Sequence, residues 1–153
     1  MAYRIERLQE YTEEDKQQLK ELHGSLETSK RPRQIENVFP RDYAGLELAL
    51  FVARNKEGKI IGFSNAGLEK EAGYGVSHWT CVHPDYREPP LGKDLMKAKI
   101  EWLVGKGAKS VVATGHTRHG RALLKYLGFE PHEGSGWKSA RLNFEKFRKR
   151  VGK

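Results

Sequence analysis

Between Trp79 and Leu95 the chain reads as a β-rich run, Trp79-Thr80-Cys81-Val82-His83, then a turn through Pro84, Arg87, Pro89 and Pro90, then Leu91-Gly92-Lys93 opening an amphipathic stretch. A strand, a basic turn and a helix start together suit an anionic group. The first backbone N–H groups of a helix are unpaired, and its dipole favours negative charge there. His78 lies on the same strand, four residues before Val82, and period-two alternation predicts that the two share a face. A near-neutral pKa suits its imidazole to accept a proton. Alternation sends His83 to the other face, as a turn residue. His116 and His119 flank Thr117 at the predicted start of a later helix. A metal site is not expected, because alternation separates His78 from Cys81 and His83, and two ligands on the later helix are too few. Cys81 reads as a small buried strand residue more readily than as an acyl-accepting nucleophile. Trp79, Trp102 and Trp137 read as core or groove-lining residues.

These groups need a scaffold, and periodicity supplies one. Tyr3 to Leu8 predicts a first strand. Thr12 followed by Glu13, Glu14 and Asp15 reads as a capping box, and Leu19 and Leu22 continue a helix from about Glu13 to His23. Ile35, Val38 and Phe39 predict a short second helix lying over the domain, between Pro32 and Pro40. Three strands follow in a meander, over 48–53, 59–68 and 74–83, with Asn55-Lys56-Glu57-Gly58 turning the first pair. Pro89 and Pro90 suit the first turn of a helix. Leu91, Leu95, Met96, Ile100, Leu103 and Val104 form its apolar stripe, and Gly105 and Gly107 end it. A strand over 109–114 precedes a helix capped by Thr117 and ended by Gly128. Two closing strands are predicted over 129–133 and 137–144. The order argues a single α/β (α+β) domain over residues 1–145, with a mixed, mostly antiparallel sheet and helices on both faces, followed by a basic tail over 146–153.

The 153 residues suit one domain, and 37% apolar with 31% charged residues suits a globular chain. No apolar run reaches membrane-spanning length, the first residues lack an apolar leader, and Cys81 is the only cysteine, so a cytoplasmic setting without membrane contact is expected. The net charge of +8 favours polyanions or anionic cofactors, and it concentrates at Lys30-Arg31-Pro32-Arg33 and from Lys146 to Lys153. Nucleic-acid binding calls for aromatics among the basic residues, and along the sequence only Phe144 and Phe147 stand close to the second cluster.

The element order, Val82-His83-Pro84-Asp85-Tyr86-Arg87 and, some 40 residues on, Leu127-Gly128-Phe129 together resemble the GCN5-related N-acetyltransferase (GNAT) family. The resemblance implies a loop that holds the pyrophosphate of acetyl-CoA. Arg87 matches its first position, Leu91 and Gly92 match its last two, and Lys93 adds charge beside them. Cys81 and Val82 fall at the strand end, where the backbone of family members pairs with the pantetheine arm. His78 falls where some members carry the general base, and Thr117 stands at the position of a family Asn. The family Tyr that protonates the departing thiolate aligns with Leu124, leaving Thr117 or solvent for that step; Tyr126 should point elsewhere. Pro90 replaces the first loop glycine and Pro89 precedes it. Neither has an N–H, so contacts fall to fewer amides and to Arg87 and Lys93. The implied activity is direct transfer of acetyl from acetyl-CoA to an amine. Lys30, Arg31, Arg33 and Arg41 suggest an acidic or phosphate-bearing acceptor. Two alternatives stay open: a GNAT-like binding module for nucleic acid or an acidic protein, and a GNAT-like enzyme that modifies a nucleobase or uses another acyl donor.

Overall fold

The computed structural model describes residues 3–27, 31–86, 89–114 and 118–152. It begins with β1 (Tyr3–Arg7) and α1 (Glu13–Ser25). The start of α1 is the expected capping box: Thr12 Oγ1 accepts from Asp15 N at 3.0 Å, and Asp15 Oδ2 accepts from Thr12 N at 3.1 Å. A 3-10 helical turn (Ile35–Val38) and a short β2 (Arg41–Tyr43) lead to the meander of β3 (Leu46–Asn55), β4 (Ile60–Glu69) and β5 (Tyr74–Val82). The β3–β4 turn is set by Asn55, whose Oδ1 accepts from Glu57 N and Lys59 N, and by Gly58 at φ +80°. After a 3-10 turn (Pro84–Tyr86) come α2 (Pro89–Gly105), β6 (Ser110–Ala113), α3 (Arg118–Leu127), β7 (Phe129–Pro131), β8 (Ala140–Leu142) and α4 (Phe144–Val151).

All eight strands join one sheet in the order β1-β3-β4-β5-β6-β8-β7, with β2 added on β3. Among the described strands only β5 and β6 run parallel. Leu19, Leu22 and Leu26 of α1 and its end pack with Ile35, Val38, Leu50, Val52, Phe63 and Cys81 on one face. On the other face α2, α3 and α4 bury Ile100, Leu103, Leu124, Leu127 and Phe147 against Leu68, Val111, Ala140 and Leu142. The mixed, mostly antiparallel sheet with helices on both faces is therefore as expected. None of the described helices is long and apolar enough to cross a membrane.

The chain's end departs from expectation. Instead of a strand over 137–144 and a basic tail, only residues 140–142 pair, and Asn143 Oδ1 accepts from Lys146 N at 3.0 Å to cap α4. Phe144, Phe147 and Val151 then fall on one helical side, and Phe147 is 2% exposed in the core. The basic segment is the outer face of a domain helix. Arg31, expected near the acceptor, donates from Nη1 to His23 O at 2.9 Å and to Leu26 O at 3.4 Å. It ties off the end of α1, where helix carbonyls lack partners.

Candidate active site

The parallel pair is short. Tyr74, Gly75 and Val76 of β5 register with Ser110, Val111 and Val112 of β6, after which Val112 and Ala113 pair with Arg141 and Ala140 of β8. From Ser77 to Val82, β5 keeps β4 on one side and has no described strand on the other. A gap thus opens in mid-sheet, edged by extended backbone that can hydrogen-bond to an amide-bearing chain as another strand would. Helix α2 starts just beyond the end of β5. Pro89 and Pro90 take its first positions, so two of the unpaired donors of a helix start are missing, and the amides of Leu91 and Gly92 come next. Leu91 is buried, Gly92 lies against Leu123 of α3, and Lys93 Nζ sits 5.1 Å from the Tyr126 ring.

The gap is flanked by a bulge. The β4–β5 register passes from Ser64↔Thr80 to Ala66↔Ser77, so His78 and Trp79 together oppose Asn65. Asn65 Oδ1 accepts from Trp79 N at 2.9 Å. Lys99, from the middle of α2, is fully buried beneath the bulge. Its Nζ donates to His78 O at 3.3 Å, to Trp79 O at 3.2 Å and to Thr80 Oγ1 at 2.9 Å. Thr80 Oγ1 is in turn 2.9 Å from Ser64 Oγ. In a regular strand successive carbonyls point to opposite sides, and at the bulge one amine reaches both. Burial drives the Lys99 pKa down to about 7, opposed by the neighbouring Cys81. At neutral pH the amine therefore exchanges readily between its charged and neutral forms, and either can donate to these acceptors.

The bulge also overturns the expectation that His78 shares a face with Val82. Val82 packs on the α2 side with Ile61, Leu91 and Leu95, whereas Trp79 and Cys81 pack on the α1 side. The His78 ring lies over Gly67, where an added Cβ would come within 3.1 Å of both His78 Nε2 and Leu48 Cδ2. Leu48 belongs to the row of Leu50 and Val52, which faces α1. One inserted residue has moved His78 to the face of Cys81, not the opposite one. Among the described residues no three His, Cys, Asp or Glu side chains are gathered as metal ligands. His78 keeps one side open to solvent while crowding on the other, together with Lys99, holds its pKa below the ordinary 6.5. It is a neutral imidazole at pH 7.

The other expected site residues divide. Cys81 is buried and Val82 half-buried at the end of β5, beside the gap. Arg87 and Thr117 lie outside the described residues, as does His116. His83 is a turn residue, its Nδ1 accepting from Asp85 N at 3.1 Å. Leu124 is 1% exposed in the core, whereas Tyr126 is 39% exposed, on another side of α3. Lys99 was not singled out in the sequence. The signal for it is its spacing: Leu95, Lys99 and Leu103 stand four apart, with the lysine in the middle of the buried stripe.

Solved structures of GNAT proteins share this fold. The GNAT-family N-acetyltransferase YhbS from Escherichia coli, solved in complex with CoA, is 18% identical, with a TM-score of 0.68 over 96% of this chain and 85% of that one. The PaiA N-acetyltransferase from Thermoplasma acidophilum, in complex with coenzyme A, is 15% identical, with a TM-score of 0.63 over 92% and 98%. A GNAT-family acetyltransferase from Staphylococcus aureus Mu50 is 17% identical, with a TM-score of 0.63 over 93% and 99%. No curated protein sequence matches the chain. The family described as acetyltransferase (GNAT) domain matches residues 47–131, more than half of the chain, which therefore belongs to the GNAT family.

Proposed function

We propose that the chain moves an acetyl group from acetyl-CoA to an amine by direct attack. The observation that carries this reading is the open edge of β5 from Ser77 to Val82, ending beside the start of α2. The edge suits the amide-bearing arm of CoA, with the backbone at Cys81 and Val82 as its partners. Its anionic end falls to the amides of Leu91 and Gly92, to Lys93 and to Arg87. The CoA-bound structures of the E. coli and T. acidophilum relatives support that choice of co-substrate.

When bound, acetyl-CoA supplies an activated thioester whose thiolate is a fair leaving group, with a pKa near about 8.5 for an ordinary thiol. The chain supplies the rest. His78, neutral at pH 7, accepts the proton that the amine loses as it bonds to the acetyl carbon, directly or through one water. Thr117 or solvent returns a proton to the departing sulfur. Lys99 fixes the backbone of His78 and Trp79 and acts as a positioning residue, since its Nζ faces the bulge carbonyls. Arg33 and Arg41, both exposed, favour an acceptor that carries acid or phosphate near its amine.

Calorimetry with acetyl-CoA and with CoA, followed by thiol release over a panel of amines, tests the proposal. Binding and turnover are expected. No heat at millimolar ligand would end it, and would leave the second reading, a GNAT-like binding module, for which Pro89 and Pro90 at the helix start speak.

A further inference from the structure

Helix α3 faces Gly92 of α2 with Leu123. Its other side carries Arg118, Arg121 and Lys125, spaced three and four residues apart, and these line a cleft of about 350 Å³ together with Ala122 and Trp137. All three cations are exposed, and among the described residues none has an acidic partner. Nearby acids are already engaged: Glu130 pairs with Lys146 at 2.7 Å and Glu145 with Lys149 at 3.4 Å, leaving Glu133 in the β7–β8 connection.

Trp137 holds its place against a backbone penalty. Its φ is +78°, a left-handed conformation that a bulky side chain rarely adopts, just after Gly134 and Gly136 at positive φ. The half-buried ring rests at the edge of the core beside these three cations. On the next side of α3, Tyr126 is 39% exposed, with the Arg150 guanidinium 4.5 Å from its ring centre. Aromatics among basic residues, few along the sequence, are thus assembled by the fold.

We propose that this surface binds single-stranded nucleic acid, with phosphates on Arg118, Arg121 and Lys125 and a nucleobase stacked on Trp137. Stacking on aromatics within a basic groove is how single strands are held without duplex structure. An acidic protein would use the cations and leave the ring without a task. The cleft's cations stand on a side of α3 other than that of Leu123, which faces Gly92, and Tyr126, which also lies under Lys93, stands between the two; the proposal does not rest on the acetyl-CoA reading.

Fluorescence anisotropy with labelled twelve-residue oligo-U and oligo-dT tests this, against an oligoglutamate peptide and CoA as competitors. Binding should weaken with salt, log K falling with log[salt] at a slope of about −2 for three phosphates on a single strand. Arg121→Glu with Lys125→Glu, both on the exposed helix face, should flatten the slope to about −0.7 or abolish binding. Trp137→Asn, which tolerates the left-handed backbone, should weaken binding about fivefold or more at unchanged slope, and Trp137→Tyr should retain it. The ratio of the oligo-U and oligo-dT affinities assigns the strand to RNA or DNA. Thermal melts report folding of each variant. Absence of binding by either oligonucleotide at about 0.1 mM protein in low salt would overturn the proposal. So would equal competition by the peptide, displacement by CoA, or wild-type affinity in both Trp137→Asn and the double variant.

Discussion

Replacing Lys99 by Met isolates the buried amine, because Met has a similar length and no charge. In the unfolded chain a lysine titrates at an ordinary 10.5, and in the fold at about 7. Between those values the unfolded chain binds more protons than the native one, so stability rises with pH through this window and the penalty is complete below pH 7. The difference makes folding less favourable by about 4 kcal/mol at pH 7 and by about 2 kcal/mol at pH 9. Met removes that penalty but leaves the carbonyls of His78 and Trp79 without their donor; Thr80 keeps Ser64. Two orphaned acceptors cost about 2–6 kcal/mol together. Near pH 7 the two effects come close to cancelling, so a single measurement there decides nothing. The destabilisation caused by Lys99→Met should therefore grow by about 2 kcal/mol between pH 7 and pH 9, read from urea unfolding of both proteins at each pH. Equal differences at the two pH values would refute the reasoning, since Lys99 would then titrate normally in the fold. A second readout is the His78 imidazole in an NMR titration. Lys99 contributes to its lowered pKa, so the variant's His78 should titrate at a higher pH than the wild type's.

Three further outcomes follow from the same geometry. His78→Ala should lower acetyl transfer by about 10²–10⁴-fold with acetyl-CoA affinity kept, as expected for loss of a general base, and wild-type turnover should fall as pH drops through the His78 pKa below 6.5; unchanged turnover would remove His78 from the chemistry. Gly67→Ala places a Cβ 3.1 Å from His78 Nε2 and should lower kcat about tenfold or more while urea stability changes little, because both crowded neighbours are side chains that can move. Phe147→Ala should destabilise by about 3–5 kcal/mol in urea unfolding, and a mild effect would mean that α4 is peripheral after all.

What could be read in the sequence is what local periodicity encodes. Thr12 and Asp15 marked the start of α1, Asn55 and Gly58 the β3–β4 turn, and the apolar stripe from Leu91 to Leu103 the run of α2. The family resemblance located the parting strand and the helix start together. The failures have a common form. Alternation assumes one residue against one, and the residue inserted opposite Asn65 moved His78 to the other face without a trace in the hydrophobic pattern. Counting apolar residues along α2 passed over Lys99, since a lysine is normally placed in solvent. At the chain's end Trp137 to Phe144 alternates convincingly, but Asn143 caps a helix through Lys146 N and Trp137 takes a left-handed turn, and period-two alternation registers neither.

The bulge, the buried amine and the open edge form one arrangement. β5 leaves β6 after Val76, and the extra residue comes immediately afterwards, at His78–Trp79. A bulge sharpens the right-handed twist of its strand, and a strand that twists away from a parallel neighbour opens a gap that a ligand's backbone-like arm can fill. The same insertion turns two adjacent carbonyls toward α2, where water cannot follow, so a donor must come from the helix. Lys99 is long enough to reach both carbonyls, and its lowered pKa spares the core a full buried charge at neutral pH. The insertion also directs His78 to the α1 face, while the start of α2 remains at the other end of the gap. Under the proposed function, a single extra residue in β5 thus accounts both for the parting of the strand and for the face from which His78 acts.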